Sequence, residues 1–287
     1  MKSLHNVPAP AKLNLFLHIT GRRDDGYHLL QSVFMLIDWC DTLHFDVRDD
    51  GRVTREDLTT PLPAEDLTVK AARALQAFSG THLGVDIQIN KTIPAEAGMG
   101  GGSSDAASTL LALNRLWNLQ LPRADLMQIG LKLGTDVPFF LSGANAWVEG
   151  IGEQIHAIDI PPAQFLVLKP TAGLATQAIF SHPELKRDTE TAIISGFLAY
   201  PFDFGRNDLQ AVAQKLSPDV NLALTWLENK GLQPRMTGSG SAVFAHVGSD
   251  KLCQFVDSAA MLSDAPENAI AKLCSNLSEH PLKSWAN

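Results

Sequence analysis

The stretch that most constrains this chain is Gly98-Met99-Gly100-Gly101-Gly102-Ser103-Ser104, set between an alternating apolar segment and a helix-forming one. Glycine loses more backbone entropy on folding than any other residue, so so many in a row are costly. The gain that justifies them is a backbone able to approach a ligand closely and aim several N–H groups at it. With a helix N-terminus directly behind, that arrangement suits a phosphate. The plainer alternative is a flexible loop in front of a capped helix. The loop is not a Walker A motif, which needs GxxxxGK[ST]. It is not the dinucleotide fingerprint either, whose third glycine would fall at Ser103. The protein-kinase HRD and DFG elements are absent.

Around the loop, hydrophobic periodicity predicts alternating elements. Leu13, Leu15, Leu17 and Ile19 interleave with Lys12, Asn14, Phe16 and His18. Period two predicts a strand with Lys12 and Asn14 on the same face. Gly21 ends it and Asp25-Gly26 is a turn signal. Strands are expected at 33–37 and 43–47, a helix over 66–78 and a strand at 85–89. After the loop, Ala107, Leu110, Leu111, Asn114 and Trp117 share one helix face. Ser103 or Ser104 is expected to cap that helix, with Asp105 in its positive first turn. A helix through Leu126, Ile129 and Leu133 closes at Gly134, and Thr135 to Pro138 opens a short one.

Strand-like stretches follow at 146–160 and 165–168. A helix over 207–216 starts with Asn207 and Gln210 at capping-box spacing. Another over 219–230 stops at Gly231. The Gly/Ser loop Met236 to Ser241 precedes a strand at 242–247, and helices are expected at 250–262 and 266–277. The 287 residues suit two domains of mixed α and β structure. Pro161-Pro162 marks the linker, which gives an ATP-binding domain at 1–158 and a substrate-binding domain at 159–287.

Composition excludes several function classes. Lys and Arg number 23 against 31 Asp and Glu, a net charge of −8. Nucleic-acid binding rests on clustered cations, so it is not expected. No apolar run approaches the ~20 residues of a membrane span. The first residues lack a signal-peptide core, so a soluble cytoplasmic protein, monomer or homodimer, is expected. Cys40, Cys253 and Cys274 lie far apart with no CxxC, which reads as buried or idle thiols rather than disulfides or a zinc site.

Taken singly, the polar candidates have ordinary readings. Lys12 could be a solvated charge and Asp136 a helix cap. Tyr27 and His28 could start a strand, and Phe180 could be core. Together they are more specific. Pro10-Ala11-Lys12-Leu13-Asn14-Leu15 with Gly26-Tyr27-His28, Pro94 to Ala107, Gly134-Thr135-Asp136-Val137-Pro138-Phe139-Phe140, and Met236-Thr237-Gly238-Ser239-Gly240-Ser241 resemble the GHMP kinase superfamily in order and spacing over nearly the whole chain. The resemblance narrows to members that act on a diphosphocytidyl methylerythritol.

It implies an α/β (α+β) two-domain GHMP kinase fold, with a ribosomal-protein-S5-like N-terminal domain, a ferredoxin-like C-terminal domain and the active site between them. It implies ATP-dependent phosphorylation of the substrate's 2-hydroxyl. Asp136 would be the catalytic base and Lys12 would orient it and help bind phosphate. Pro94 and the loop residues Gly98, Met99, Gly100, Gly101, Gly102, Ser103 and Ser104 would hold ATP. Tyr27, His28 and Phe180 would hold the cytosine. Asn14, Thr176, Gly238 and Ser239 are further substrate-side residues. Mg²⁺ is expected, since phosphoryl transfer is largely positioning and charge neutralisation. Ser104 is offered as its loop serine, but no full ligand set stands out.

Two other readings remain open at this point. One is a GHMP kinase acting on mevalonate, homoserine or a sugar. The other is a nucleotide-binding or ribosomal-type RNA-binding module, against which the acidic balance and Asp136 weigh.

Overall fold

The computed structural model describes residues 2–249 and 264–287. Two long strands build the first half. β1 (Ser3–Arg22) and β2 (His28–Arg48) run antiparallel, joined by a turn at Asp25-Gly26. There Gly26 takes φ 90° and Tyr27 N donates to Asp25 Oδ1 at 3.2 Å. The strands expected at 33–37 and 43–47 are one continuous strand. β3 (Val53–Asp57), β4 (Gly84–Asn90), β5 (Ala146–Gly150) and β6 (Gln154–Ala157) complete a sheet of order β3-β4-β2-β5-β6, with β1 also on β2.

Four helices cover one face: α1 (Leu67–Ser79), α2 (Gly101–Leu116), α3 (Arg123–Leu133) and α4 (Val137–Ser142). Asp66 caps α1 by accepting from Val69 N, and Gly80 ends it at φ 68°. The second half has its own antiparallel sheet, of order β10-β7-β9-β8: β7 (Gln164–Lys169), β8 (Pro234–Met236), β9 (Val243–Val247) and β10 (Ile270–Ser275). Its helices are α5 (Thr176–Phe180), α6 (Ile194–Ala199), α7 (Gln210–Leu216) and α8 (Pro218–Asn229).

Packing explains where periodicity misled. From Val7 to Ile19, β1 has no solvent-exposed face, because both of its sides are almost wholly buried, its polar Lys12, Asn14 and His18 included. Val7 and Ala9 pack with the helices of the first half. Ala11, Leu13, Leu15 and Phe16 pack with Phe165, Val167 and Phe244 of the second sheet. Leu17 and Ile19 join a third cluster with α7 and α8. The two sheets thus share a core through β1. Bulges between Pro10 and Lys12, and between Asn14 and Leu17, shift its register and re-aim side chains.

Several local expectations fail. α2 begins at Gly101 with Gly100 at its N-cap, so Ser103 and Ser104 lie inside the helix and cap nothing. Asn207 and Gln210 form no capping box. Asn207 instead bonds the carbonyls of Met236 and Gly238, and Gln210 Oε1 accepts from Met236 N. Residues 270–275 are a strand, not a helix: Ile270, Leu273 and Cys274 mimic helical spacing, but the segment pairs with β7 at the sheet edge. The helix expected at 250–262, and Cys253 within it, lie outside the described residues.

The tail returns to the first half. Leu282 and Ala286 join the α1–α4 core. Arg123 of α3 donates to the carbonyls of Leu141, Lys283 and Ala286, the last at 2.6 Å.

Candidate active site

Two loops meet where the halves adjoin. The glycine loop passes from β4 into α2, and the Thr237–Ser241 loop joins β8 to β9. Contact is close enough to require glycine on both sides. Gly238 sits at φ 54°, and a Cβ there would lie 2.7 Å from the Gly98 carbonyl oxygen. Gly98, at φ 71°, would press a Cβ onto the Thr237 carbonyl. Ser241 N and Ala242 N donate to the carbonyls of Glu96 and Ala97, and Asn14 N donates to Thr237 Oγ1 at 2.9 Å.

A cavity of about 840 Å³ opens on one side of the glycine loop and one of about 570 Å³ on the other; they share Gly98, Gly100, Ser103, Thr176 and Ser239. Lys12, Asn14, Asp136, Tyr27, His28, Phe180 and Gly238 line the larger cavity. Pro94, Met99, Gly101 and Gly102 line the smaller one. Ser104 lines neither and is buried, its hydroxyl without a partner among the described residues. Of the two loop serines, Ser103 is the one that lines both cavities.

The glycines give the smaller cavity its character. Gly100 takes φ 71°, and a Cβ there would meet the Phe140 ring at 3.0 Å and Lys12 Cγ at 3.3 Å. Ser104 N closes the first helical bond to Gly100 O. The amides of Gly101, Gly102 and Ser103 therefore have no acceptor within α2. A 16-residue helix presents these donors and its positive end to the loop, a ready anion site.

The larger cavity holds an acid and a cation. Lys12, 3% exposed, is fixed on three sides. Its Nζ donates to Asn14 Oδ1 at 2.5 Å, lies 3.6 Å from Asp136 Oδ2 and sits 4.6 Å from the Phe34 ring centroid. Burial pushes its pKa down, and Asp136 pulls the other way. Asp136 occupies the N-cap position of α4 but makes no side-chain capping bond, so its carboxylate is free to act toward the cavity. Both polar ends of the Asn14 side chain are engaged, Oδ1 by Lys12 and Nδ2 by Ser32 Oγ at 2.9 Å. Asn14 therefore holds Lys12 in place.

At the far end, Tyr27 is 59% exposed in the β1–β2 turn. The His28 ring stands 5.1 Å from that of Phe180 at 42°. Thr176 and Ser239 hydroxyls bond at 2.8 Å across the rim.

Sequence reasoning missed two groups. Under the smaller cavity, Lys91 Nζ donates to Asp41 and, at 2.5 Å, to Asp105 Oδ2. Asp41 Oδ1 also accepts from Ile93 N at 2.8 Å. Burial pushes the Asp105 carboxyl up to about 7, opposed by Lys91 and reinforced by Asp41, and its Oδ1 has no partner among the described residues. Lys91 and Asp105 flank the glycine loop in sequence, but Asp41 lies 50 residues before Lys91, so no local pattern marks the cluster. The other is Arg187, which bonds His28; a single arginine in a polar stretch carries no signal in sequence. Among the described residues, Cys40 and Cys274 fit their quiet reading: burial pushes the Cys40 thiol up to about 11 and that of Cys274 to about 12.

Residues 66–144 match the family model described as GHMP kinases N terminal domain. A protein of Albidiferax ferrireducens named 4-diphosphocytidyl-2-C-methyl-D-erythritol kinase is 65% identical over 286 residues, covering 100% of this chain and 96% of its own length. A protein of the same name from Polaromonas naphthalenivorans is 62% identical over 99% of this chain and 97% of its own. The crystal structure of a 4-(cytidine 5'-diphospho)-2C-methyl-D-erythritol kinase superposes with TM-score 0.77 at 32% identity, over 93% of this chain and 98% of that one. The mevalonate kinase of Methanococcus jannaschii, at 16% identity and TM-score 0.68 over 96% of this chain and 98% of its own, shares the fold.

Proposed function

Since the chain belongs to the 4-diphosphocytidyl-2-C-methyl-D-erythritol kinases of the GHMP kinase family, we propose how its residues divide the work of that reaction. ATP is the phosphoryl donor. The acceptor is the 2-hydroxyl of the methylerythritol unit, in the methylerythritol phosphate route to isoprenoid precursors. The single observation that carries this assignment of residues is the Lys12–Asp136 pair at 3.6 Å on the cavity adjoining the glycine loop.

ATP lies along the smaller cavity, its phosphates on the unpaired amides of Gly101, Gly102 and Ser103, with Pro94, Gly98, Met99 and Gly100 shaping the wall. The substrate fills the larger cavity, with cytosine near Tyr27, His28 and Phe180 and its alcohol near Asp136. Thr176, Gly238 and Ser239 close the rim where the two ligands meet. Asp136 accepts the hydroxyl proton and orients the attacking oxygen, a contribution of roughly 10²–10⁴ in rate. Lys12, held by Asn14, keeps a positive charge beside Asp136 and the transferring phosphoryl group, where a preorganised cation is most effective.

The donors present fit Mg²⁺, which takes few protein ligands and fills its octahedron with phosphate and water. The Ser103 hydroxyl, on both cavities, is the residue that would hold it; Ser104 is enclosed. The ion would neutralise phosphate charge. We place the division of labour between domains at 158/159. The enzyme is proposed to work in the cytoplasm, as monomer or homodimer, without nucleic acid. No helix among the described residues is long and apolar enough to cross a membrane.

The test is a coupled ADP-release assay with ATP, Mg²⁺ and a panel of diphosphocytidyl methylerythritol, mevalonate and homoserine, on wild type and Asp136→Asn. Turnover with the cytidyl alcohol alone, falling by roughly 10² or more in kcat in the variant while ATP still binds, is expected. Undiminished turnover in Asp136→Asn returns Asp136 to a structural role.

A further inference from the structure

His28 does not stand alone on the cavity wall. Arg187 Nε donates to His28 Nε2 at 3.0 Å. The rest of the guanidinium is tied down as well: Nη1 donates to Leu185 O at 3.0 Å, and Nη2 donates to Phe180 O at 3.1 Å and His182 O at 2.9 Å. One arginine thus fastens the start of β2, the end of α5 and the segment after it. These are the places that carry His28 and Phe180.

The hydrogen bond also fixes a proton. A guanidinium has only donors, so the imidazole nitrogen facing it must be the lone-pair nitrogen. His28 is then neutral, with its proton on Nδ1. Among the described residues nothing hydrogen-bonds Nδ1. Burial, the Arg187 charge and the Arg22 charge all push the His28 pKa below its ordinary value. Of the two acidic residues of the same turn, Asp24 and Asp25, the one on the cavity, Asp25, is paired with Arg23 at 2.8 Å.

Cytosine and uracil differ at N3, which is an acceptor in cytosine and carries hydrogen in uracil. A ring N–H offered at N3 bonds the first and faces a second donor in the other. A site built to make such a bond rejects a ligand that leaves it unpaired.

We propose that Arg187 is a positioning residue for base selection, holding His28 as the Nδ1–H tautomer so that the larger cavity presents a donor to cytosine N3 and turns uracil away. This rests on the placement of cytosine proposed above. It assigns Arg187 no contact with the base, because the guanidinium is spent on His28 and three carbonyls.

Two measurements test it. In long-range ¹H–¹⁵N spectra of the wild-type protein, His28 should carry its proton on Nδ1; a proton on Nε2 overturns the proposal. In Arg187→Met the neutral imidazole can also take the Nε2–H tautomer, so the KM for diphosphocytidyl methylerythritol should be raised at pH 8 and recover as pH falls through about 6.5, the ordinary histidine value, where imidazolium restores the Nδ1–H donor, whereas the wild-type KM stays flat from pH 6 to 8. The preference in kcat/KM for the cytidyl over the uridyl substrate should fall about tenfold, with the KM for ATP unmoved. An unchanged pH profile and base preference, or equal losses toward ATP and the cytidyl substrate, would reduce Arg187 to a structural tie. His28→Ala separates the two readings. If it leaves the KM for the cytidyl substrate untouched, the cytosine placement itself fails; if it raises that KM while Arg187→Met changes nothing, only the role of Arg187 fails.

Discussion

Replacing Gly238 by alanine asks whether the two loops must touch. The new Cβ would lie 2.7 Å from the Gly98 carbonyl oxygen, 3.1 Å from Gly98 Cα and 3.3 Å from Asn14 Oδ1. Nonbonded heavy atoms sit best at about 3.5 Å or more, so the loops have to part by roughly 0.5–1 Å. The residue also stands at φ 54°. Left-handed backbone costs a non-glycine residue about 1–2 kcal/mol, less about 0.4–1 kcal/mol regained because alanine has fewer unfolded states.

Gly80 supplies the control. It has a similar φ of 68°, and nothing lies within 4 Å of a Cβ built there. Gly80→Ala should therefore cost about 1 kcal/mol, lowering Tm by about 2–4 °C, with full activity. Gly238→Ala should lose that much stability or more. It should also lose about 10² in kcat/KM, the scale set by a displacement near 1 Å at a reacting centre. Differential scanning fluorimetry and the coupled ADP assay read the two quantities. If Gly238→Ala matches Gly80→Ala in both, close contact between the loops is not needed for transfer.

Two further outcomes concern buried charge. His280 is neutral in the fold, its pKa pushed down to about 4 by burial and Arg123, against about 6.5 when unfolded. The unfolded chain binds more protons between those values, so stability present above pH 6.5 is lost as pH falls toward 4, by about 3 kcal/mol at 1.36 kcal/mol per unit. In denaturant titrations from pH 4 to 7.5, His280→Asn should flatten this slope while keeping an acceptor for Leu282 N; identical slopes would refute the assignment. Lys91→Met should cost about 3–5 kcal/mol, since it leaves Asp41 and Asp105 buried without their cation. Because Asp105 has its pKa pushed up to about 7, protonation relieves the variant in acid. Its Tm deficit should be larger at pH 8 than at pH 6, and a deficit independent of pH would count against the shared charge.

The part of the site legible in sequence was the part built from neighbours in the chain. The glycine run, its strand and its helix interact locally, so spacing alone located them. The alternation of β1 placed Lys12 and Asn14 together but could not show that a second sheet lies against the same strand, because Phe165, Val167 and Phe244 are more than 140 residues away. Residues 270–275 misled for the opposite reason: an accidental apolar spacing imitated a helix, and only pairing with β7 decides otherwise. Arg187 and the Lys91–Asp41–Asp105 cluster are assembled by tertiary contact from isolated charged residues. No local pattern marks a charge whose partner lies 159 residues away, as for Arg187 and His28.

The returning tail has a consequence for synthesis on the ribosome. Leu282 and Ala286 belong to the core formed with α1 to α4, and the Arg123 guanidinium in α3 waits for the carbonyls of Lys283 and Ala286. About 150 residues, most of them of the second half, are made between α3 and those partners. At roughly 5–20 residues per second that interval lasts about 8–30 s. Throughout it the first half has an open patch and an arginine lacking two of its acceptors. A nascent chain stalled before residue 282 should accordingly be the species most exposed to chaperones and proteases.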